Sequence, residues 1–273
     1  EVNDWIRTTD TFDAVFDVLP FEGEEHLSQP FSYRIEFTCT NQDLSAEQML
    51  NKDARFSLYP SPPKPPYPGF PAPEYKPLRS LYGMVNNFQR LSSSRDEARY
   101  EITLQPRLAL LAHGRQYRLY QQQSVPEIVE HILRSRHDFL GQHFLFQLVR
   151  EYPRREQVMQ YGESDLAFIE RLLAEVGIWY RFSHDDRLQI DVVEFHDDQR
   201  HYQFGVQLPF RPPSGFASGE DGVWDLQTRH QVVEKSINFR AYHHRDARAR
   251  LDGEVDQTRG TTTTTYGEAY HYA

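Results

Sequence analysis

The chain has 273 residues and a formal charge of −10, from 40 acidic and 30 basic side chains. That charge argues against a nucleic-acid partner, because phosphates need a basic surface. No run approaches the roughly 18 apolar residues of a membrane span, and the single cysteine, Cys39, excludes an internal disulfide and fits assembly in a reducing compartment.

The length suits one large or two ordinary domains, and both ends of the sequence look cut. The chain begins at Glu1 without a methionine and without the charged-then-apolar leader of a secretory signal peptide. It stops at Ala273, shortly after the threonine run 261–265. We therefore expect a fragment of a longer protein.

The first half of the chain carries the pattern of antiparallel strands. In FSYRIEFTC, residues 31–39, apolar and polar side chains alternate strictly, as in a strand with one buried face. Ser45 and Gln48 form a capping box that predicts a short helix over 46–51. Further strands are predicted at 55–59, 81–91 and 99–105, which together favour an antiparallel barrel or sandwich.

A proline-rich segment, Pro60–Pro77, interrupts these strands and holds nine of the 17 prolines. Such a segment cannot join a ladder and is expected to be extended polyproline II. It is either a long exposed hairpin loop or a docking ligand for a partner with a groove. We favour the loop, because the flanking strands explain its position.

The middle of the chain predicts helices. Ser124 and Glu127 form a second capping box with a proline in the first turn, and the helix that follows has one apolar face. A strand is predicted at 144–148, and two more at 223–233 and 235–242. The simplest organisation is two β units, 1–115 and 177–273, which bracket a helical segment at 116–176.

An acid-rich stretch, YGESDLAFIERLLAEVGIWYRF, runs from residue 161 to 182. Ser164 is a good N-cap, and Asp165 places a charge where the helix dipole is worth about 0.5–1 kcal/mol. An apolar stripe follows, and Gly177 ends the helix. A hairpin is predicted next, with strands at 178–182 and 188–195 and a turn at 184–186.

The acids of this stretch are Glu163, Asp165, Glu170 and Glu175. Nothing in the sequence sets two of these carboxyl groups at the separation that a glycosidase needs. Glu170 and Glu175 lie off the apolar stripe, so a solvated helix face explains them. The stretch is therefore predicted to be scaffold, and a carbohydrate-active hydrolase that uses acids near 163–175 is the alternative from another class.

No cofactor or metal site is predicted. The closest histidine pairs, His196/His201 and His243/His244, lack the helical spacing of a zinc site. Cys39 falls on an apolar strand face, where a thiol is usually buried and inert. The glycine-rich nucleotide motifs and the serine-hydrolase motif do not occur.

The segment YPRREQVMQYGESDLAFIERLLAEVGIWYRF, residues 152–182, closely resembles the signature of VgrG proteins, the spike proteins of bacterial type VI secretion. Residues 100–133, 31–39 and 223–240 resemble other parts of that family, so the resemblance covers nearly the whole chain. The departures are local: Arg107 stands where tryptophan is frequent, and the late motifs are altered at 236–239 and 269–273. The matching signature positions are Gln160, Tyr161, Glu163, Ser164, Asp165, Phe168, Arg171, Leu172, Glu175, Gly177 and Tyr180.

The resemblance implies a mainly β, α+β fold like a tailed-phage baseplate hub. Two small antiparallel β-barrels would bracket the helical segment, the second one cut short at Ala273. A homotrimer of such chains gives a pseudo-sixfold ring that matches the hexameric Hcp tube, and it helps to deliver effector or adaptor proteins through target membranes. The protein would be assembled in the bacterial cytoplasm and secreted without a signal peptide, and it would not be an enzyme.

A phage tail hub of the same architecture is the nearest alternative. The C-terminal spike that reinforces the trimer in this family is absent from the sequence, and every chain carries the same negative charge. We therefore expect this 273-residue chain to be mainly monomeric at micromolar concentration.

Overall fold

A computed structural model describes residues 5–8, 16–59, 76–202, 204–205, 207–210, 223, 225–243, 245–258 and 264–272. These residues form a mainly β protein with few helices. The chain divides into two compact units, Glu1–Gly205 and Val206–Ala273, which are described separately. Across the described ranges, no helix is both long and apolar enough to cross a membrane.

The first unit begins with a six-stranded antiparallel sheet. Its strands follow the predicted alternation, and the short helix α1, Ala46–Met49, starts at the predicted capping box of Ser45 and Gln48. The strands are β1 (Trp5–Thr8), β2 (Asp17–Glu24), β3 (Ser32–Cys39), β4 (Asp53–Leu58), β5 (Arg79–Ser93) and β6 (Ala98–Gln105).

This sheet is a half-barrel and not a closed barrel. Its strand order is β1-β4-β5-β6-β3-β2, so β1 and β2 are its two edges. Closure requires the edge strands to pair, and among the described residues β1 pairs with β4 and β2 with β3. The buried face forms the first core, around Ile35, Phe37, Phe56 and Tyr100.

A second core in the same unit is built from helices and short strands together. The segment 116–176, predicted to be helical, contains three strands as well as two helices. The elements are β7 (Gln116–Gln123), α2 (Val125–His137), β8 (Phe144–Gln147), β9 (Arg155–Glu163), α3 (Asp165–Val176), β10 (Trp179–Asp185) and β11 (Ile190–His196). Strands β7 and β9 form an antiparallel ribbon, and β10, β11 and β8 form a three-stranded sheet.

The two helices of the second core begin and end as the sequence predicts. In α2, the carboxylate of Glu127 accepts the backbone N–H of Ser124 at 2.7 Å. In α3, the hydroxyl of Ser164 accepts the N–H of Ala167 at 3.2 Å, and Gly177 ends the helix at φ 69°. Helix α2 buries its apolar stripe completely, whereas α3 buries Phe168, Ile169, Leu172 and Leu173 and leaves Leu166 and Val176 partly exposed.

The hairpin after α3 differs from its prediction at the turn. Strand β10 continues through His184 and Asp185, which were predicted as turn residues, and it pairs with β11 up to Ile190. The turn is therefore four residues long, 186–189, and its last residue, Gln189, has a positive φ of 57°.

The proline-rich segment lies outside the described residues from 60 to 75. Its two ends are described. Leu58 of β4 lies directly opposite Arg79 of β5 in an antiparallel ladder. The segment thus connects two paired strands, as predicted for a hairpin loop.

The second unit contains a three-stranded sheet of β12 (Ser236–Ala241), β13 (Leu251–Asp256) and β14 (Glu268–Tyr272). Strand β12 confirms the prediction at 235–242. The strand predicted at 223–233 is wrong, because the described part of this range holds only isolated bridges at Val223 and Val233. Asp225 has φ 58°, a left-handed conformation that breaks an extended strand.

Candidate functional site at the start of helix α3

The residues of the 160–180 signature meet where β9 turns into helix α3. Ser164 caps the helix, Phe168 and Leu172 point into the second core, and Tyr180 follows on β10. The polar members divide into two clusters, one buried and one at the surface. Each cluster ties α3 to neighbouring elements.

The buried cluster surrounds the carboxylate of Asp165, which is only 3% exposed. One oxygen accepts from the Arg136 guanidinium at 2.7 Å and from the Gln160 amide at 2.8 Å. The other lies 2.7 Å from Nε2 of His137. Arg136 and His137 come from the last turn of α2, and Gln160 comes from β9. One carboxylate therefore joins the end of α2, strand β9 and the start of α3.

This geometry changes the role predicted for Asp165. The sequence places it in an exposed first helical turn, where only the helix dipole acts on it. The structure places it out of water, with a guanidinium, an imidazole and an amide around it. The long-range partners carry no local sequence signal, since Arg136 lies 29 residues away along the chain.

The surface cluster surrounds Arg171. Its guanidinium donates to both oxygens of Glu163, at 2.8 and 3.0 Å. It also donates to Glu175 at 2.8 Å and to the carbonyl of Met159 at 3.2 Å. Arg155 of β9 reaches the other oxygen of Glu175 at 2.6 Å. The cluster thus fastens α3 along the length of β9.

The charges of this cluster shift one another's pKa. Partial burial works to raise the pKa of Glu175, but the guanidinium groups of Arg155 and Arg171 outweigh it and hold the pKa below its usual range. The Glu163 carboxylate is the main cause that raises the pKa of Arg171. Both groups therefore stay charged across the physiological pH range.

Glu170 takes part in a third contact. Its carboxylate accepts the Tyr180 hydroxyl at 2.7 Å. Burial raises the pKa of Glu170 despite this hydrogen bond, and burial, followed by the bond to Glu170, raises the pKa of Tyr180. Glu170 is half-buried and braces β10 against α3, so a solvated helix face describes Glu175 but not Glu170.

The remaining signature residue, Tyr161, points outward. Its side chain is 74% exposed and meets the ring of Tyr117 edge-on, with centroids 5.1 Å apart. On the inner side, Phe168 stacks on Tyr120 at 5.6 Å.

Hydrolysis requires one carboxyl free to donate a proton and another free to attack or to activate water. Here Glu163 and Glu175 are held by arginines, Asp165 by three partners and Glu170 by a tyrosine. A partly apolar cleft of about 270 Å³ lies elsewhere and is lined by residues such as Glu25, Phe31, Phe182 and His184. The acids of the stretch act as structural anchors.

The pair His196/His201, at which no metal site is predicted, lies beside an arginine. The His196 and His201 rings are 4.6 Å apart, and Arg181 donates to the His201 carbonyl at 3.1 Å. Burial chiefly lowers the pKa of His196, and Arg181 adds to that effect. Within the described residues no group of three metal-binding side chains occurs, and His244 lies outside them. Cys39 is buried, as predicted.

The joint between the two cores is not predicted in the analysis of the sequence. Three polar side chains of the β10–β11 hairpin hydrogen-bond to Tyr82 of β5 and to Arg107, which follows β6. Nδ1 of His184 accepts the Tyr82 N–H at 3.3 Å, Asp186 accepts the Tyr82 hydroxyl at 2.9 Å, and Asp191 accepts the Arg107 N–H at 3.2 Å. The polar run His184-Asp185-Asp186, predicted as a turn, is a signal that could have indicated it.

Burial perturbs two of these groups strongly. It lowers the pKa of His184 to about 4, and it raises the pKa of Asp191 to about 6. His184 and Asp191 lie directly opposite each other in the β10–β11 ladder. The joint therefore holds a neutral imidazole and a carboxyl whose charged form is disfavoured.

Comparison with known proteins places this architecture. Residues 24–273 match the model of the family described as phage tail baseplate hub (GPD). The chain belongs to the phage tail baseplate hub family. Within it, the predicted resemblance to the type VI secretion spike proteins, VgrG, is confirmed.

Among these relatives, the spike protein VgrG5 of Pseudomonas aeruginosa is 35% identical over 185 residues, 67% of this chain and 21% of VgrG5. The chain thus spans about a fifth of that relative's length. The solved E. coli c3393 protein, described as a component of the type VI secretion system similar to the T4 tail proteins gp27 and gp5, is 49% identical, with a TM-score of 0.67 over 76% of this chain and 53% of that one. A Francisella PdpA–VgrG complex, at 9% identity and a TM-score of 0.56 over 100% of this chain and 44% of that one, shares the fold alone.

Proposed function

We propose that this chain is the hub of a trimeric type VI secretion spike, which docks on the hexameric Hcp tube and helps to carry effectors through target membranes. The observation that carries the proposal is the 49% identity to a type VI secretion component across 76% of the chain. The site supports it, because its acids hold elements together and are not free for catalysis.

The mechanism in this proposal is mechanical. A spike base must pass an axial load from the tube to the tip without deforming. The Asp165 cluster, the Arg171 cluster and the His184–Asp191 joint each tie separate elements together inside one unit. Charge-assisted hydrogen bonds of this kind are short and directional, so they resist sliding of α3 against β9.

The partners follow from the same proposal. A homotrimer with two barrel-like parts per chain would offer six similar surfaces to a hexameric ring. The finding that a Francisella VgrG was solved in complex with PdpA supports a protein cargo. The spike would be assembled in the cytoplasm and leave the cell through the secretion system itself.

The proposed domains are 1–115, 116–176 and 177–273. The change from the first core to the second falls between Leu104 and Leu108, so it supports a first boundary slightly earlier than residue 115. The second core contains residues from both sides of the second boundary. A second barrel, built around β12–β14, remains part of the proposal.

Binding to Hcp tests the proposal directly. The chain would be fused at its C-terminus to a trimeric coiled coil, which restores the effective concentration that an attached spike supplies. We expect the fused trimer to bind immobilised Hcp hexamers, and the unfused chain to bind far more weakly. If the folded trimer shows no binding at about 100 µM Hcp, in the weak range of protein affinities, the proposed docking is wrong.

A tailed-phage hub is the second candidate, because the matching family model is itself a phage baseplate hub. The same trimer would then prefer a phage tail-tube protein to Hcp in a side-by-side assay. The hydrolase alternative has no structural observation in its favour.

A further inference from the structure

Strand β10 lies at the edge of its three-stranded sheet, because the strand order is β10-β11-β8. In an antiparallel ladder, every second residue turns its backbone N–H and C=O away from the paired strand. Tyr180 is such a residue, since its C=O accepts the Ser28 N–H at 2.8 Å and its N–H donates to the Ser28 hydroxyl at 3.4 Å. Phe182, two residues further along the strand, therefore turns its N–H and C=O to the same outer edge.

The partner strand gives the same result from the other side of the ladder. Phe182 lies opposite Val193 of β11, and the Val193 N–H donates to the carbonyl of His143 at 3.0 Å, on the side of β8. The rung between Phe182 and Val193 is therefore one that no hydrogen bond crosses. Within the part of the chain that the structure describes, the backbone N–H and C=O of Phe182 have no hydrogen-bond partner.

The partly apolar cleft of about 270 Å³ borders this edge. Phe31 forms one of its walls and meets the Phe182 ring edge-on, with centroids 5.3 Å apart. Leu27 adds a second apolar side chain, which is 54% exposed. His184 adds a polar one: its Nδ1 accepts the Tyr82 N–H, so the neutral ring carries its hydrogen on Nε2 as a donor. The strand edge thus opens on a pocket with apolar walls.

The charges that line the cleft argue against a small ion as its ligand. Glu25 is paired with Arg79 at 2.6 Å, and Arg181 is paired with Glu194 at 2.8 Å. Neither charge is free to hold an ion, and no group of three metal-binding side chains occurs among the described residues. What the cleft does offer is a backbone donor and a backbone acceptor beside apolar side chains. An extended peptide satisfies such groups, because it adds to a sheet as a further strand and places alternate side chains in the pocket.

We propose that the outer edge of β10 binds an extended, basic segment of another protein, which pairs with Phe182 and packs an apolar side chain against Phe31. The chain's charge of −10 attracts a basic segment and repels a second copy of the same chain. Pockets for small molecules measure about 300–1,000 Å³, so this smaller cleft would hold only a few residues of the segment. The inference goes beyond the proposed function, since it holds whether or not the chain docks on Hcp.

Amide hydrogen exchange, followed by NMR, tests whether the edge is open in the chain alone. The Phe182 amide should exchange at least about tenfold faster than the amides of Arg181 and Ser183, which pair with β11. Strong protection of Phe182 in the dilute chain would show that another part of the chain covers the edge. Protection that grows with the concentration of the chain would show that a second copy covers it. Either result would overturn the proposal.

Synthetic pentapeptides of the form Lys-X-Thr-X-Lys, with Val, Leu, Ile or Phe at both X positions, test binding. We expect at least one to bind with a Kd of about 10–500 µM and to slow the exchange of the Phe182 amide. If none binds at about 1 mM, the proposed site is wrong.

Methylation of the peptide backbone separates strand pairing from simple apolar contact. The two X residues place their side chains in the pocket, so their N–H groups point to β10 and the threonine N–H points away. Methylating both X amides should weaken binding at least about tenfold, because hydrogen bonds to β10 are lost. Methylating the threonine amide is the matched control and should change the affinity much less. Equal losses in the two peptides would rule out pairing with the strand edge.

One pair of variants and one change of charge locate the binding place and the kind of partner. Leu27→Ser should weaken peptide binding about fivefold through lost apolar contact, and Leu140→Ser, at a residue 57% exposed on the turn after α2, should not. Circular dichroism would verify the fold of both variants, and equal affinities would show that the cleft is not the binding place. The acidic peptides Glu-X-Thr-X-Glu should bind at least about tenfold more weakly at low salt, and added salt should reduce that difference. Equal binding of acidic and basic peptides would overturn the choice of a basic partner.

Discussion

Arg136 and Asp165 lie 29 residues apart in the chain, and the guanidinium of Arg136 donates to the carboxylate of Asp165 at 2.7 Å. Their side chains are only 13% and 4% exposed. A charge in such a place is stable only with its partners, because it has lost the water that would otherwise solvate it. This pair makes the start of α3 depend on the end of α2.

Removing the Asp165 carboxylate should therefore destabilise the protein severely. We expect Asp165→Ala to lower the free energy of unfolding by about 3–5 kcal/mol, since Arg136 is left buried without a counter-charge. The helix dipole alone would account for only about 0.5–1 kcal/mol. Urea unfolding followed by tryptophan fluorescence measures the difference.

Glu175→Gln is the matched control, because Glu175 also contacts two cations but at the surface. Exposed ion pairs contribute about 0–1 kcal/mol, so a small loss is expected. Similar losses in the two variants would contradict the buried role of Asp165.

The contact between Tyr180 and Glu170 should show an asymmetry between its partners. Tyr180→Phe leaves a half-buried carboxylate without its donor and should cost about 1–2 kcal/mol. Glu170→Gln keeps an acceptor for the hydroxyl and should change stability by less than about 0.5 kcal/mol. Thermal melts of both variants test this, and a larger loss in Glu170→Gln would indicate that the charge itself is required.

Between pH 6.5 and 4, His184 and Asp191 should act on stability in opposite directions. The pKa of His184 is about 4 in the folded protein, so the unfolded chain takes up this proton first and stability falls as the pH falls. The pKa of Asp191 is about 6, so here the folded protein takes up the proton first and stability rises as the pH falls.

Single variants should uncover each effect. Relative to the unmodified chain, Asp191→Asn should lose up to about 3 kcal/mol more between pH 6.5 and 4, since one pKa unit corresponds to ~1.4 kcal/mol. His184→Gln should shift the profile the other way. Chemical unfolding at a series of pH values measures both, and parallel profiles for all three proteins would show that the joint does not titrate.

Shortening the proline-rich segment should leave the fold intact. Leu58 and Arg79 already pair across the hairpin, so the strands do not need the intervening residues to find their register. Replacing residues 61–76 by a glycine-containing turn should change stability by about 1 kcal/mol or less, because loop length costs only ~0.6 kcal/mol per doubling. An insoluble product or a much lower melting temperature would contradict the loop interpretation.

Local structure was predictable wherever the signal itself is local. The caps at Ser45, Ser124 and Ser164 and the glycine stop at Gly177 act on backbone groups within a few residues, and the structure confirms each one. Strand β3 was equally predictable, because its buried and exposed side chains alternate from one residue to the next. These features depend on the chain's own neighbours and on water.

Short, amphipathic strands were harder to find. Strand β9 buries Val158 and Gln160, strand β7 buries Tyr120 alone, and their outer faces hold tyrosine, leucine and methionine. The mixture of exposed apolar and buried polar residues hides the alternation. The wrong strand at 223–233 shows the converse case, in which an acceptable pattern is overruled by the left-handed backbone of Asp225.

By itself, the sequence determined the class of this protein: an acidic, mainly β hub with a capped helix, a glycine stop and the motif of its family. Only the tertiary structure decided what the motif does. Gln160, Asp165 and Arg136 act together because folding brings three elements to one carboxylate and removes the water around it. Burial and long-range pairing are properties of the assembled core, so no local pattern of residues could have specified them.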